Sequence, residues 1–201
     1  NFFLVNSSFT SQILRYNIDG SSGGVFVPAG GVPANSAGLS SGTGLVYGPD
    51  GNLYVSSMGT NEVLRYDGST GMPMPPPPGS PGGTRNGVFV PAGRGSLNLP
   101  FGLAFRPDGK LYVTSGGNDR INLYDGTNAT FLGSIPVVDE PHEIAFGPDG
   151  NFYVTGAMVD SIARYDGVTG AFIDNFIPVG SGGLNAPVDL IFGPAGNLYV
   201  S

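Results

Sequence analysis

Apolar and polar positions along the chain alternate in short bursts and never follow a helical period. The clearest burst is Leu45-Val46-Tyr47, a Gly48-Pro49-Asp50-Gly51 break, then Asn52-Leu53-Tyr54-Val55-Ser56. β-Branched and aromatic residues on both sides of a Pro-Asp-Gly break predict two antiparallel strands joined by a tight turn. The burst returns at residues 103–114, 144–155 and 190–201. A second burst follows the first: Ile13-Leu14-Arg15-Tyr16, Val63-Leu64-Arg65-Tyr66, Ile121-Asn122-Leu123-Tyr124 and Ile162-Ala163-Arg164-Tyr165. A Gly-containing turn comes next. Each unit then ends in an apolar stretch, such as Val25-Phe26-Val27 or Val88-Phe89-Val90.

One unit therefore holds four strands, which in the second repeat are a (45–48), b (53–57), c (62–66) and d (88–91). Strand b is apolar on both faces, with Leu53 and Val55 on one and Tyr54 on the other. A sheet that reads this way is packed between two neighbours, as a propeller blade is, whereas a sandwich strand has one polar face. Pro and Gly interrupt any helix of useful length. The expected fold is all-β, a β-propeller of four-stranded blades with about four repeats. Aligned at Asn1, Asn52, Lys110, Asn151 and Asn197, the repeats fall at about 1–43, 44–101, 102–142 and 143–187, with a partial one at 188–201. Such spacings mark propellers and solenoids. Residues 1–201 are expected to form a single propeller domain or part of one.

Strands are expected in the order b-c-d, three full sets, then a-b, seventeen in all. That is one more than four blades need. Three arrangements stay open: ring closure by the last strand a, continuation in a longer protein, and pairing of the spare strand with another molecule. The start at Asn1 rather than Met leads to the expectation of a removed leader or an excised piece. Between the repeats, residues 28–43 are a Gly/Ala/Ser-rich connection. Residues 72–84 form an insertion whose Pro75-Pro76-Pro77-Pro78 run favours an extended polyproline segment, read as a solvated loop.

Gly (35) and Pro (18) recur at repeated positions, so they read as turns of a folded chain rather than low complexity. Net charge is −7, with Lys110 the one lysine and no arginine cluster. Neutralising phosphates requires several cations on one face, so nucleic acid is not an expected partner. The absence of Cys excludes disulfides and thiolate metal sites, and is compatible with an oxidising exterior. No apolar run is long enough to be a spanning helix. Low charge and unpaired strand ends point to an extracellular scaffold or adhesion module. Its expected partners are a protein, a glycan or further copies of itself joined head to tail by edge-strand pairing, which would build a filament.

Gly102-Leu103-Ala104-Phe105-Arg106-Pro107-Asp108-Gly109, Asn52-Leu53-Tyr54-Val55-Ser56-Ser57 and Val63-Leu64-Arg65-Tyr66-Asp67-Gly68 resemble the units of NHL-type β-propellers, and those of secreted bacterial repeat proteins most of all. The resemblance covers nearly the whole chain and departs in the 72–84 insertion. It implies a propeller that typically closes with six blades, and export from the cell. It is specific for architecture and weak for activity.

Candidate chemistry gathers just before strand a. The residue pairs there are Thr43-Gly44, Phe101-Gly102, His142-Glu143 and Val188-Asp189. Strand a lines the channel of a propeller, so these pairs are expected at its mouth. Asp139-Glu140-Pro141-His142-Glu143 with Asp189 is the densest ionisable group in the chain and contains its one His. Two readings stand. One is a solvated acidic rim. The other is a hydrolase or lyase site in which His142, Glu143 and Asp189 supply a general base, with Glu143 and Asp189 as ligands of a divalent cation such as calcium. The resemblance to calcium-dependent propeller lactonases and propeller lyases adds slight weight to the second, without fixing a residue; the rim remains the preferred reading.

Other motifs carry less. Gly38-Leu39-Ser40-Ser41-Gly42 matches a nucleophile-elbow pattern but lacks the strand before and helix after that such an elbow requires. The Asp-Gly turns at Asp50, Asp67, Asp108, Asp125, Asp149 and Asp166 lack calcium-loop spacing. They read as turns with Asp accepting backbone N–H bonds and Gly at positive φ. The repeated Arg15, Arg65 and Arg164 are expected to cap a blade edge or pair with a turn Asp, and the strand-c tyrosines to pack between blades. Asn6 and Asn128 begin glycosylation sequons.

Overall fold

The structure is a computed structural model that describes residues 2–7, 9–29, 37–79, 85–137 and 140–201; the side chain of Phe3 is not described. Asp139 and parts of the 28–43 and 72–84 segments lie outside the described residues.

Among the described residues seventeen strands form five antiparallel sheets. The first holds β1 (Phe2–Ser7), β2 (Gln12–Asn17) and β3 (Ser22–Val27). The second holds β4 (Gly42–Tyr47), β5 (Leu53–Ser57), β6 (Glu62–Tyr66) and β7 (Val88–Val90). The third holds β8 (Pro100–Phe105), β9 (Lys110–Ser115), β10 (Arg120–Asp125) and β11 (Phe131–Pro136). The fourth holds β12 (Pro141–Phe146), β13 (Phe152–Gly156), β14 (Ser161–Tyr165) and β15 (Phe172–Ile177). The last holds β16 (Leu190–Phe192) and β17 (Leu198–Val200). Within each sheet, strands neighbouring in sequence are neighbours in space. Among the described residues no helix is long and apolar enough to cross a membrane.

The expected b-c-d, three full sets and a-b are all present. One register differs. β1 pairs Phe3 with Tyr16 and Leu4 with Arg15, whereas β5 pairs Leu53 with Tyr66 and Tyr54 with Arg65. Phe2, not Asn1, therefore stands in the place of Asn52. A one-residue shift moves every side chain to the other face of the sheet, so Leu4 occupies the position of Tyr54, and Val5 that of Val55.

The a–b turns show why Pro-Asp-Gly recurs. Pro49 presets the turn, Gly51 returns its N–H to Gly48 O at 3.0 Å, and Gly51 sits at φ 75°, where a side chain is strained. The c–d turns differ from the expectation. Gly68 is not at positive φ; Gly71 at φ 73° is. Gly68 is needed because a Cβ there would collide with Gly51 O. The turn Asp accepts bonds as expected: Asp67 Oδ1 takes the N–H groups of Ser69 (3.0 Å) and Thr70 (2.8 Å).

No sheet has a core of its own. Leu53, Val55, Leu64 and Tyr66 of the second sheet pack on Ile13, Phe26 and Val27 of the first. Tyr54, Val63 and Phe89 leave the opposite face to meet Leu103, Leu111, Val113 and Tyr124 of the third. The two remaining contacts repeat the scheme. At the centre of the last three, the strand-b tyrosine meets an aromatic ring of the next strand a edge-on. The centroid distances are 4.8 Å for Tyr54–Phe105, 5.1 Å for Tyr112–Phe146 and 4.9 Å for Tyr153–Phe192. Such pairs contribute beyond their area.

A second device recurs at every contact. Ser11, Asn61, Asp119 and Asp160, which end the b–c turns, all lie at positive φ. Each side chain accepts the backbone N–H of a residue ahead of the next strand a: Ser41 (3.0 Å), Leu99 (2.7 Å), Glu140 (2.9 Å) and Ala186 (2.7 Å). Those four residues lie at positive φ as well.

The strand-c arginines do pair with turn aspartates in two sheets. Arg65 lies 4.0 Å from Asp50 and Arg164 4.0 Å from Asp149, each guanidinium over a phenylalanine ring. In the third sheet Leu123 replaces the arginine. There Asp108 takes its cations from Lys110 (2.8 Å) and Arg106 (3.5 Å) instead.

Two substitutions separate these contributions. Tyr112→Ala is expected to lower stability by about 3 to 5 kcal/mol, as for other buried aromatics. Asp119→Ala, which removes one latch, is expected to cost about 1 kcal/mol. Urea unfolding monitored by tyrosine fluorescence measures both.

Candidate functional site

The inner strands of all five sheets converge on one cavity of about 790 Å³, lined by residues 4–6, 43–47, 103–105, 143–146 and 189–191. This is the channel. Its mouth is shaped by an irregularity in strand a. The ladder runs from Gly42 to Leu45, from Pro100 to Leu103 and from Pro141 to Ile144 with two residues left out of the pairing each time. Those residues are Thr43-Gly44, Phe101-Gly102 and His142-Glu143. With Val188-Asp189 they line a second cavity of about 290 Å³ at the mouth. The four pairs singled out in the sequence thus lie together.

Bulged backbone needs partners for its N–H and C=O groups, and side chains of the ends of strand b supply them. Thr114 Oγ1 accepts Gly102 N–H at 2.8 Å and lies 2.8 Å from His142 O. Thr155 Oγ1 accepts Glu143 N–H at 2.7 Å. Asn6, at the same register position in β1, donates its amide to Thr43 O at 2.8 Å. Thr43 Oγ1 donates to Pro100 O at 2.9 Å. The mouth is tied sheet to sheet by these bonds.

Gly44 and Gly102 let the strands close in. A Cβ on Gly44 would stand 2.5 Å from Phe101 O, and one on Gly102 2.7 Å from the Cα of Glu143. Glu143 is partly buried in this space, and its Oε1 accepts Ile144 N–H at 3.0 Å. Burial, together with the charge of Asp189, pushes its carboxyl up from 4.5 to about 8. His142 stacks on Phe101, with ring centroids 4.0 Å apart and planes 14° from parallel, and its Nε2 lies 3.7 Å from Glu140 Oε1. Asp189 is exposed at the start of β16.

His142, Glu143 and Asp189 are therefore brought to one mouth, but as a partly buried acid, an exposed carboxylate and a stacked imidazole. Among the described residues no group of three His, Cys, Asp or Glu side chains stands close enough to hold a metal ion. Calcium takes roughly six to eight oxygens. Glu143 and Asp189 fall short of that number, and one oxygen of Glu143 already accepts a backbone bond. Among the described residues, Glu143 and Asp189 alone do not make a calcium site.

Asn6, which begins one sequon, has its amide engaged at the channel mouth and its Oδ1 buried. Asn128 lies in the c–d turn of the third sheet and accepts Thr130 N–H at 2.9 Å. In Gly38-Leu39-Ser40-Ser41-Gly42, Leu39 is buried, Ser40 is bonded through its backbone to Ser57, and the segment runs into β4 with no helix.

The latches and the hydroxyl supports were not anticipated. The signal was present: Ser11, Asn61, Asp119 and Asp160 are short acceptors at one aligned position, and Thr114 and Thr155 share another. The stacking of Phe101 on His142 gave no signal, because the two rings are 41 residues apart.

No family model matches the chain, and no curated protein matches it. Solved structures do. A streptogramin B lyase superposes with a TM-score of 0.68 at 18% identity, over 100% of this chain and 58% of that one. Virginiamycin B lyase from Staphylococcus aureus gives 0.65 at 16%, over 98% and 58%. A chain of a nidogen/laminin complex gives 0.65 at 20%, over 87% and 59%. At these identities the likeness shows the fold: the chain is a β-propeller. It spans 58% of the length of the two lyases.

The buried acid sets a pH dependence. A carboxyl whose pKa is higher folded than unfolded stabilises the fold fully below the unfolded value and less as pH rises through the folded one. Stability is therefore expected to fall between pH 4.5 and about 8 on account of Glu143. Asp67, held down to about 2 by its bonds from Ser69 and Thr70, gives the opposite limb, with stability lost as pH drops below 3.8. In thermal melts across this range, Glu143→Gln is expected to flatten the upper limb alone and to be more stable than the parent at pH 8.

Proposed function

We propose that the chain is an NHL-type β-propeller acting outside the cell as a non-enzymatic binding module for scaffolding or adhesion, with the channel mouth as its contact for a protein segment or glycan. One observation carries this. Thr114 and Thr155 bond the backbone of their own or the next sheet and Asn6 holds Thr43 O, so these ties preorganise a concave surface at the mouth. Its recognition elements are the stacked Phe101–His142 pair, the Glu143 carboxyl and Asp189. A preorganised surface with few convergent polar groups suits binding. The low charge, absent cysteines and NHL-like repeats support the extracellular setting. Ligands selected from glycan arrays and displayed peptides are expected to lose about tenfold or more in affinity on Phe101→Ala or Glu143→Gln. Selected ligands indifferent to both changes, or no ligand at all, count against the reading.

A second reading rests on the paired carboxyls. A carboxyl held protonated near neutrality by its surroundings suits a general acid role. Glu143, raised by burial and by the charge of Asp189, has that character. The lyases among the structural neighbours share the fold. Turnover of cyclic esters or lactones, lost in both Glu143→Gln and Asp189→Asn, would establish this reading in place of the first. An unchanged rate in both variants would end it.

A further inference from the structure

The insertion between β6 and β7 begins as an ordered piece of the second sheet rather than a free loop. Asp67 donates its backbone N–H to Met72 O at 2.8 Å, Met74 donates to Arg65 O at 3.1 Å, and Gly87 donates to Met74 O at 2.6 Å. The guanidinium of Arg65 then donates to Pro75 O at 2.8 Å. Arg65 is itself set over the Phe89 ring and beside Asp50, so the first residue of the proline run is clamped to the sheet. Residues 75–77 continue without strand pairing to a turn at 78–79. Consecutive prolines hold φ near the polyproline II value, and that helix makes one turn in three residues. Residues three apart therefore share a face, and exposure follows this period. Pro75 and Pro78 are exposed, Pro76 is half-buried and Pro77 is buried. Met72, three residues before Pro75, is exposed as well. Among the described residues the carbonyl of Pro76 accepts no bond.

We infer that the face carrying Pro75 and Pro78 is a ligand for a partner protein whose binding groove is lined with aromatic side chains. The chemistry of the face selects that partner. It offers flat pyrrolidine rings and an unpaired acceptor, with no charge and no N–H to give. Its complement is a pair of aromatic slots about 9 Å apart, the rise of one polyproline turn, with an N–H or O–H donor at the rim. The Arg65 clamp and the burial of Pro77 already hold the segment in an extended shape, so binding has little left to order. The segment lies within the second sheet, which has a complete strand set and a neighbouring sheet on either side. None of its residues lines the channel or the mouth, so the inference does not depend on the channel-mouth reading.

Titration of the protein into purified SH3, WW and EVH1 domains, whose aromatic grooves contain tryptophan, tests it. The chain has no Trp, so tryptophan fluorescence reports the groove of the added domain alone. At least one domain is expected to give a saturable change. Replacing both outward prolines, Pro75→Ala with Pro78→Ala, is expected to weaken that binding about tenfold or more. Pro76→Ala, off the face, is expected to weaken it by no more than about threefold. All three positions lie outside the named strands, and circular dichroism checks that the variants keep the parent fold. Silence from every domain overturns the inference. So does equal binding by the double variant, which would place the contact elsewhere. Self-association of the protein alone, seen in sedimentation velocity and lost in the double variant, would assign the face to a second copy and overturns it too.

Discussion

The structure depends on the two-sidedness of strand b. Because Leu53 and Val55 point one way and Tyr54 the other, no sheet can bury its own apolar residues. The hydrophobic driving force therefore acts only between sheets. The edge-on meeting of Tyr54, Tyr112 and Tyr153 with Phe105, Phe146 and Phe192 fixes how far each sheet slides against the next. The latches from Asn61, Asp119 and Asp160 then fix the position of the following strand a. Packing sets the distance and hydrogen bonds set the height.

The channel mouth follows from that height. A latched chain enters strand a at positive φ, leaves two residues outside the ladder, and rejoins it. The bulge turns those two residues toward the axis. Hydroxyls of Thr114 and Thr155 satisfy the backbone so exposed, and glycine at 102 opens space into which Glu143 settles. The raised carboxyl of Glu143 is thus a product of backbone geometry in the neighbouring sheet as much as of its own position.

The repeat made most of the fold legible. Strand order, the hairpin turns and the two-faced strand b all follow from local pattern, and the mouth pairs follow from where strand a begins. What the sequence hid was of two kinds. The first was register: Asn1-Phe2-Phe3-Leu4-Val5 imitates Asn52-Leu53-Tyr54-Val55, yet hydrogen bonding places it one residue along, since the c strand and not the initial asparagine sets the pairing. The second was contact across units. Asn6 reads as a sequon in isolation and becomes a strut only when Thr43 is brought beside it. The stacking of Phe101 on His142 has the same character, because no local pattern couples residues of successive sheets.

The third sheet exchanges its strand-c arginine for Leu123 and restores the charge to Asp108 from Arg106 and Lys110. All members of that substitution lie within one sheet-forming stretch. The ion pair is thus self-contained, while the tyrosine contact and the latch are shared with a neighbour. A duplication or exchange that copied one stretch whole would carry its electrostatics intact and would need compatibility at the apolar faces, at the latch N–H and at the bonds that tie the mouth. Sequence drift in such a protein is free to rewrite charges unit by unit, but it is held nearly fixed wherever one unit touches the next.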